Sequence, residues 1–244
     1  MATLNYNQVL FRLVPGNVSE ILEIGCAGGD LGLALKQRED LFKCRYQAIE
    51  YSKRHFDLAK TRLDQVFHAD AEQFDYNSLN TKFDVIIFGD SFEHMKDPEG
   101  LLDRLIPLLK DNGLFLFSIP NVRHFYIIDC LIRGFWDYTG GGLLDKTHFH
   151  LFTLNSFYKL VLKKKLKMAE VQSIFKNLEW LQEMIKPDGF HPDFVNRYNK
   201  LIENINKPNI ALELLSGWFP GISFTELDLQ EILTVQFVIK VTKN

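Results

Sequence analysis

The stretch Ser19-Glu-Ile-Leu-Glu-Ile-Gly-Cys-Ala-Gly-Gly29 decides the fold of this chain. Its apolar first part, Ser19–Ile24, predicts a buried strand, which leads directly into the glycine-rich turn Gly25–Gly29. Asp30–Gln37 then has the pattern of a helix. Small residues in such a turn let the backbone pass close to a ligand at the N-terminus of the helix. The same turn can also be a plain strand-to-helix connection with no ligand, so the rest of the chain must decide between the two.

Segments typical of strands and helices alternate around this stretch. The further strands predicted before Pro120 are Arg45–Ile49, Gln65–His68, Phe83–Phe88 and Leu114–Ile119, the last after a turn at Asp111–Gly113. The helices are Leu4–Leu13, Lys53–Lys60 and Pro98–Leu109. An almost fully apolar strand such as Phe83–Phe88 is typical of the centre of a parallel sheet covered on both faces. The alternation predicts an α/β fold, a doubly wound parallel sheet with right-handed crossovers.

The alternation stops after Pro120, and the segment 121–150 is aromatic, rich in glycine and irregular. The elements predicted beyond it are helices at Thr153–Lys163, Pro192–Asn204 and Ile210–Leu215, and strands at Lys167–Phe175 and Glu231–Thr242. We expect a single domain over residues 1–244, with a lid segment at 120–153 and a helical insertion at 177–230. The insertion would serve as a cover or as a homodimer contact.

The composition excludes several classes of protein. With 46% hydrophobic residues and a net charge of −3, the chain is not disordered. Its pI near 6.2 provides no basic footprint for nucleic acid. The three cysteines, Cys26, Cys44 and Cys130, form neither a metal-ligand pair nor a disulfide framework, so we expect a reducing, cytoplasmic location and no metal. No apolar run reaches the ~20 residues of a membrane span, and residues 1–18 lack the pattern of a signal peptide.

Acidic and small residues follow several of the predicted strands. Glu50 ends the second strand, Asp70 follows the third, and Gly89-Asp90-Ser91 follows the fourth. The carboxyl ends of parallel strands meet at one edge of the sheet, which is where open α/β folds bind ligands. An acidic side chain at Glu50 can take the two ribose hydroxyls of a nucleoside. The pattern therefore favours a nucleotide-like cofactor over a plain connection.

Four motifs now identify a family by resemblance. They are ILEIGCAGG (21–29), IEYS (49–52), HADAEQF (68–74) and FDVIIFGDSFEHMKDP (83–98), and in this order they resemble motifs I to IV of class I S-adenosylmethionine-dependent methyltransferases. The resemblance runs from Leu13 to Asn121, and Glu231–Val241 resembles the family's last, antiparallel strand. It implies a Rossmann-like, mostly parallel seven-stranded sheet with a helical or irregular cap, and S-adenosylmethionine as the cofactor.

The resemblance also assigns cofactor-binding roles. Those for the amino-acid end are Glu23, Gly25, Cys26 and Ala27; those for the ribose and adenine are Glu50, Tyr51, Asp70 and Ala71; those for the methionine and sulfonium side are Asp90, Ser91 and His94. Ala27 replaces the usual middle glycine, which is tolerable where the local backbone angles are ordinary. A nicotinamide dinucleotide enzyme is the rival, but G-C-A-G-G lacks the G-x-G-x-x-G spacing and the Asp70 loop has no counterpart there.

The lid segment carries a second resemblance. PNVRHF (120–125) and FWDYTGGGLLDKTHFHLFT (135–153) are similar to a subgroup of these methyltransferases found beside glycosyltransferases in bacterial surface-polysaccharide clusters. This implies a sugar hydroxyl as the acceptor, on a nucleotide- or lipid-linked glycan. The predicted acceptor-binding residues are the polar Asn121, Arg123, Asp145 and Lys146 and the aromatic Trp136, Tyr138 and Phe149. Phe125 and Phe152 are grouped with the same lid.

Transfer to a hydroxyl also needs a general base, which contributes about 10²–10⁴-fold in rate. Histidine suits this role near neutral pH. We rank His148 first, His124 second and His94 third, while His150 is expected to point elsewhere. Two alternatives stay open: methylation of another small metabolite such as a quinone or an amine, and a cofactor-binding partner subunit without catalysis.

Overall fold

The computed structural model of the chain describes residues 4–176, 179–180 and 192–244. They divide into two compact units. The unit that we call the sheet unit comprises Met1–Ile119, Asn155–Gln172 and Val238–Asn244, and the helical unit comprises Pro120–Leu154 and Ser173–Phe237. Part of the insertion predicted at 177–230, residues 177–178 and 181–191, lies outside the described residues. None of the described helices is long and apolar enough to cross a membrane.

Seven strands form one sheet in the order β3-β2-β1-β4-β5-β7-β6. They are β1 (Glu20–Ile24), β2 (Arg45–Glu50), β3 (Gln65–His68), β4 (Phe83–Gly89), β5 (Leu109–Pro120), β6 (Leu166–Phe175) and β7 (Thr234–Lys243). The pairs among β1 to β5 are parallel and the last strands are antiparallel, which confirms the predicted fold class. In register, Ile24 lies opposite Ile49 and Phe88, so the loops after β1, β2 and β4 leave the same edge.

Nine α-helices accompany the strands in the described part of the chain. They are α1 (Gln8–Leu13), α2 (Asp30–Lys36), α3 (Lys53–Ala59), α4 (Pro98–Leu105), α5 (Phe125–Ile132), α6 (Leu154–Lys163), α7 (Pro192–Glu203), α8 (Pro208–Trp218) and α9 (Glu226–Leu233). Short 3₁₀ turns occur at Tyr76–Leu79, Phe92–His94 and Ile106–Leu108. The predicted helices are present, with ends that shift by a few residues, while α5 and α9 were not predicted.

The connection between α4 and β5 differs from the prediction. The helix ends at Leu105, and β5 begins at Leu109, so the turn expected at Asp111–Gly113 is wrong. Phe83 pairs with Leu109 but Val85 pairs with Leu114, which leaves extra residues bulging from β5. A side chain on Gly113 would lie 2.9 Å from the Phe83 carbonyl oxygen, so only glycine fits this bulge.

The predicted last strand began too early. Residues 231–233 belong to α9, and the strand runs over Thr234–Lys243. The helix starts with a capping box in which the Thr225 hydroxyl accepts from the Asp228 backbone N–H and the Asp228 carboxylate accepts from the Thr225 N–H. Its apolar residues Ile232 and Leu233 are buried in the helical unit. The adjoining apolar run of β7 concealed this helix in the sequence.

Phenylalanine fills the core of each unit. In the sheet unit the ring of Phe117 stacks on Phe88 at a centroid distance of 5.1 Å and meets Phe92 and Phe157 edge-on at 5.1 and 5.0 Å. In the helical unit Phe125 is fully buried. Phe125 and Phe152, expected to belong to the lid, are therefore core residues, whereas Phe135 and Phe149 are exposed.

Phe117→Ala is expected to destabilise the chain by about 3–5 kcal/mol, because it removes one buried ring from contact with three others. The free energy of unfolding is measured by urea denaturation. Phe42 is 64% exposed and provides the matched control, since Phe42→Ala is expected to change that free energy by at most about 0.5 kcal/mol. Equal losses in the two variants would contradict the assignment of Phe117 to the core.

Candidate functional site

The carboxyl edge of the parallel strands opens into a cleft within the sheet unit. Two adjoining cavities of about 380 Å³ and 530 Å³ form it, and both are lined by Gly25, Glu50, Ser91 and His94. The structure brings every predicted cofactor residue to these cavities: Glu23, Gly25, Cys26, Ala27, Glu50, Tyr51, Asp70, Ala71, Asp90, Ser91 and His94. Residues that line the cavities and that the sequence prediction missed include Asn5, Tyr6, Asn7, His55, Glu72, Met95 and Lys96.

The loop after β1 approaches the loop after β4 closely. Gly25 has φ +74°, and a Cβ on it would lie 2.7 Å from the Cβ of Ser91. The Gly25 N–H donates to the Ile49 carbonyl at 2.8 Å, and the Ser91 hydroxyl donates to the Ile24 carbonyl at 2.5 Å. These bonds join the ends of β1, β2 and β4, and only glycine satisfies both the angle and the space.

Ala27 does not have the ordinary backbone angles that were expected. Its φ is +47°, in the left-handed region where an L-residue other than glycine is strained. The Ala27 N–H donates to the Glu50 carboxylate at 2.8 Å, and this bond holds the loop in place despite the strain. The side chain is exposed, so its methyl group meets no steric obstacle.

Two buried carboxylates form the floor of the cleft. Glu50 accepts from the backbone N–H groups of Ala27 and Ser52 at 2.8 and 2.7 Å. Glu23 accepts from the Tyr46 hydroxyl at 2.8 Å. Burial raises the pKa of Glu23 to about 7; the Tyr46 hydrogen bond opposes this rise, and the nearby charge of Glu50 adds to it. A carboxylate in such a position favours a cationic group as its ligand.

The loop after β3 forms the opposite side of the cleft. Ala71 is buried, whereas the Tyr51 ring is 75% exposed. The Asp70 carboxylate accepts from the Glu72 N–H at 2.8 Å. Glu72 in turn accepts from the backbone N–H groups of Lys96 and Asp97 at 3.0 and 2.6 Å, so it ties this loop to the one before α4.

Asp90 is the first residue after β4 and has φ +58°. The residue is exposed to the cleft, and desolvation of its carboxylate by the surrounding protein raises its pKa. The Ser118 hydroxyl donates to its carboxylate at 2.7 Å.

Two residues predicted to bind the acceptor, Asn121 and Arg123, make internal contacts of the helical unit. The Asn121 amide donates to the carbonyls of Glu231 and Thr234 at 2.7 and 2.8 Å. Arg123 forms ion pairs with Asp228 and Glu231 at 2.5 Å. These bonds hold the start of the helical unit against the end of α9.

His124 is wholly buried at the N-terminus of α5. Its Nδ1 accepts from the Tyr126 N–H at 3.2 Å, and its Nε2 has no hydrogen-bond partner among the described residues. Burial lowers its pKa to about 3. The ring is therefore neutral at physiological pH and acts as the cap of α5.

The other predicted acceptor residues surround an irregular turn of the helical unit. The Asp145 carboxylate accepts from the Thr147 N–H and hydroxyl at 2.8 and 2.7 Å, and the His148 N–H donates to the Asp145 carbonyl at 3.0 Å. The side chains that this turn and its neighbours present are Trp136, Tyr138, Lys146, His148 and Phe149. Trp136 and His148 are half-buried, and the other three are exposed.

Comparisons with known proteins indicate the family and the fold of the chain. A family model described as a methyltransferase domain matches residues 5–171. The ubiquinone biosynthesis O-methyltransferase of Pasteurella multocida is 26% identical over 49% of this chain, and the chain spans 57% of that protein. The protein of the same name from Coxiella burnetii is 27% identical, with 57% of this chain and 70% of that protein covered. A SAM-dependent methyltransferase structure from Archaeoglobus fulgidus matches with a TM-score of 0.59 and 17% identity, over 96% of this chain and 91% of that one.

Ala27→Gly is expected to stabilise the chain by about 1 kcal/mol, because glycine adopts a positive φ without strain. Gly25→Ala is expected to lower the free energy of unfolding by more than Ala27→Gly raises it, since the new methyl group would collide with Ser91. Both values are measured by urea unfolding at pH 7. A destabilised Ala27→Gly variant would show that the left-handed angle costs nothing at this position.

Glu23→Gln is expected to remove a pH-dependent loss of stability. The pKa of Glu23 is about 7 in the folded chain and 4.5 ordinarily, so the folded state binds the extra proton between these values. Stability therefore falls as pH rises from 4.5 to 7, by about 3 kcal/mol in all. Unfolding at pH 4 and pH 8 should show a stability advantage of the variant over the wild type that is small at pH 4 and reaches about 3 kcal/mol at pH 8. Glu39→Gln, at an exposed position, is the control and should follow the wild type.

Proposed function

We propose that this chain methylates a hydroxyl oxygen of a small-molecule or glycan acceptor. The chain belongs to the methyltransferase-domain family and is an S-adenosylmethionine-dependent methyltransferase. The observation that carries the proposal is the cleft at the carboxyl edge, where two buried carboxylates face a loop that only glycine permits. The family match covers all of these residues.

The lining of the cleft fits the cofactor group by group. Glu23 would bind the amino group, since its buried carboxylate is stabilised by a cation. Glu50 would bind the ribose hydroxyls with its carboxylate already held by two N–H groups. Tyr51, Asp70 and Ala71 would surround the adenine, and Cys26, Asp90, Ser91 and His94 the methionine side. When bound, the cofactor supplies an electrophilic methyl group on its sulfonium.

The protein's own residues then have to orient the acceptor and remove its proton. Positioning of this kind is worth up to about 7–11 kcal/mol of the barrier. In the proposal, Trp136, Tyr138 and Phe149 contact the acceptor with their ring faces and Lys146 with its charge. Asn121 and Arg123 are already engaged in internal contacts, and we assign them to the framework instead.

His148 is the proposed general base. The turn that begins at Asp145 fixes its backbone, and its side chain is half-buried. His124 is less suited to this role, because its ring is wholly buried, caps α5 and has a pKa of about 3. His94 lines the cleft and is the second choice.

Two classes of hydroxyl acceptor have separate support. A sugar hydroxyl is favoured by the resemblance of residues 120–153 to the polysaccharide-associated subgroup. A hydroxyl of a quinone-type metabolite is favoured by the two relatives, which are named for ubiquinone biosynthesis. Of these, we propose the saccharide, because the lid motifs lie in the segment assigned to the acceptor.

S-adenosylhomocysteine is expected to bind the wild type in calorimetry. Glu23→Gln should weaken this binding at least 10-fold at pH 8, because the amino group loses its ionised partner, although the same variant is more stable there. Glu39→Gln should bind like the wild type. Absence of binding to the wild type would overturn the assignment of the cofactor.

Labelled methyl transfer from S-adenosylmethionine tests the acceptor and the base. Nucleotide- and lipid-linked saccharides are expected to become labelled, whereas labelling of quinone-type metabolites alone would replace them as the acceptor class. His148→Ala should lower kcat by about 10²–10⁴-fold with S-adenosylhomocysteine affinity unchanged. His150→Ala is the matched control. An unchanged kcat in His148→Ala would exclude it as the base, and no transfer to any acceptor would favour a non-catalytic partner subunit.

A further inference from the structure

Ser118 connects the cleft to the N-terminal segment of the chain. It is fully buried in β5, opposite Gly89 of β4. Its hydroxyl donates to the Asp90 carboxylate at 2.7 Å and accepts from the Asn7 side-chain amide at 3.1 Å. A serine hydroxyl has a single proton to donate, and here Asp90 receives it.

Asn7 uses both ends of its side-chain amide. Its Oδ1 accepts from the N–H groups of Val9 and Leu10 at 3.0 and 3.2 Å and so caps α1. Its Nδ2 donates to Ser118. Asparagine, aspartate and serine cap helices about equally well, but only asparagine among them also carries an N–H donor. Capping of α1 alone therefore does not explain why residue 7 is an asparagine.

The N-terminal segment, residues 5–7, lines the larger cavity of the cleft together with Asp90 and Ser91. A second bond holds it there, since the Asn5 N–H donates to the Asp30 carboxylate at 3.0 Å. The segment is thus attached at the start of α2 by Asn5 and at the end of β5 by Asn7. These contacts all lie within the sheet unit.

We propose that Asn7 and Ser118 are positioning residues, which hold the N-terminal segment as a wall of the cofactor cleft and orient the Asp90 carboxylate in it. The inference rests on the proposed cofactor. Ser118 does not line the cleft and acts through Asp90, whereas Asn7 lines the larger cavity and acts by holding the N-terminal segment against Ser118. The fold needs neither hydrogen bond for its sheet, whose pairing is made by the backbone.

Asn7→Asp separates the two roles of Asn7. The variant retains an oxygen to cap α1, but it has no N–H donor, and its carboxylate competes with Asp90 for the single Ser118 proton. Ser118→Ala removes both contacts of the hydroxyl. Asp75→Ala is the matched control, because it removes a cap, from the turn at Tyr76–Leu79, whose residues do not line the cleft.

The measurements are the affinity for S-adenosylhomocysteine by calorimetry, the KM for S-adenosylmethionine, kcat and Tm. Asn7→Asp and Ser118→Ala are each expected to weaken the binding and raise this KM by about 3- to 20-fold, the range of one or two lost hydrogen bonds. We expect kcat to change less than 3-fold. We use the term relay for the two hydrogen bonds that connect Asn7 to Ser118 and Ser118 to Asp90. Because both substitutions break this relay, the loss of affinity in the double variant should not exceed that of the worse single variant.

Two results would overturn the relay. The first is that both single variants bind S-adenosylhomocysteine as tightly as the wild type does. The second is that the fold-losses of affinity multiply in the double variant, because this would mean that the two residues act independently of each other. A fall in Tm with unchanged affinity would likewise reduce both residues to structural roles. If the wild type itself fails to bind S-adenosylhomocysteine, the proposed cofactor fails. If the wild type binds S-adenosylhomocysteine and the variants bind it equally well, the relay is rejected and the proposed cofactor stands.

Discussion

The cleft depends on one close approach, that of the Gly25 backbone to the side chain of Ser91. Because no Cβ intervenes, the loops after β1 and β4 come close enough for the Ser91 hydroxyl to reach the Ile24 carbonyl. The Gly25 N–H is then free to bond to β2 through Ile49. Three loops converge as a result, and their convergence is what encloses Glu23 and Glu50 side by side.

Enclosing two carboxylates has an energetic cost that the free protein bears. Glu23 is buried beside the charge of Glu50, and its pKa of about 7 records this cost. Tyr46 offsets only part of it with one hydrogen bond. A cationic ligand would supply the missing partner, so the same burial that destabilises the chain strengthens binding. Strain at Ala27 has the same character, because the Glu50 carboxylate holds the loop in a conformation that alanine disfavours. The site thus concentrates unfavourable contributions to the free energy of folding, and the packing of the surrounding sheet has to offset them.

Local patterns in the sequence were sufficient for the sheet and for the residues at its carboxyl edge. Apolar runs locate β1 to β4, and the order of the strands places Glu50, Asp70 and Asp90 at one edge. The same patterns failed at α9, where a helix and a strand share one apolar run, and at the β5 bulge, which is set by contact with Phe83. They also missed Tyr46 and Ser118, whose roles arise from hydrogen bonds to Glu23 and Asn7. These partners are distant in sequence, and no local pattern encodes a contact between residues 7 and 118.

The histidines show why residue type alone does not assign the chemistry. His124 and His148 both follow strand β5 in motifs similar to those of the same subgroup, so the sequence makes both of them candidates and ranks His148 ahead of His124. Their surroundings differ: the imidazole of His124 is wholly buried and caps a helix, and burial lowers its pKa to about 3. A general base must exchange its proton with the acceptor and then with solvent, at a pKa near the working pH. A fully buried ring whose pKa lies so far below the working pH meets neither requirement. For this reason the proposed base is the half-buried His148, and His94, on the wall of the cleft, is the alternative.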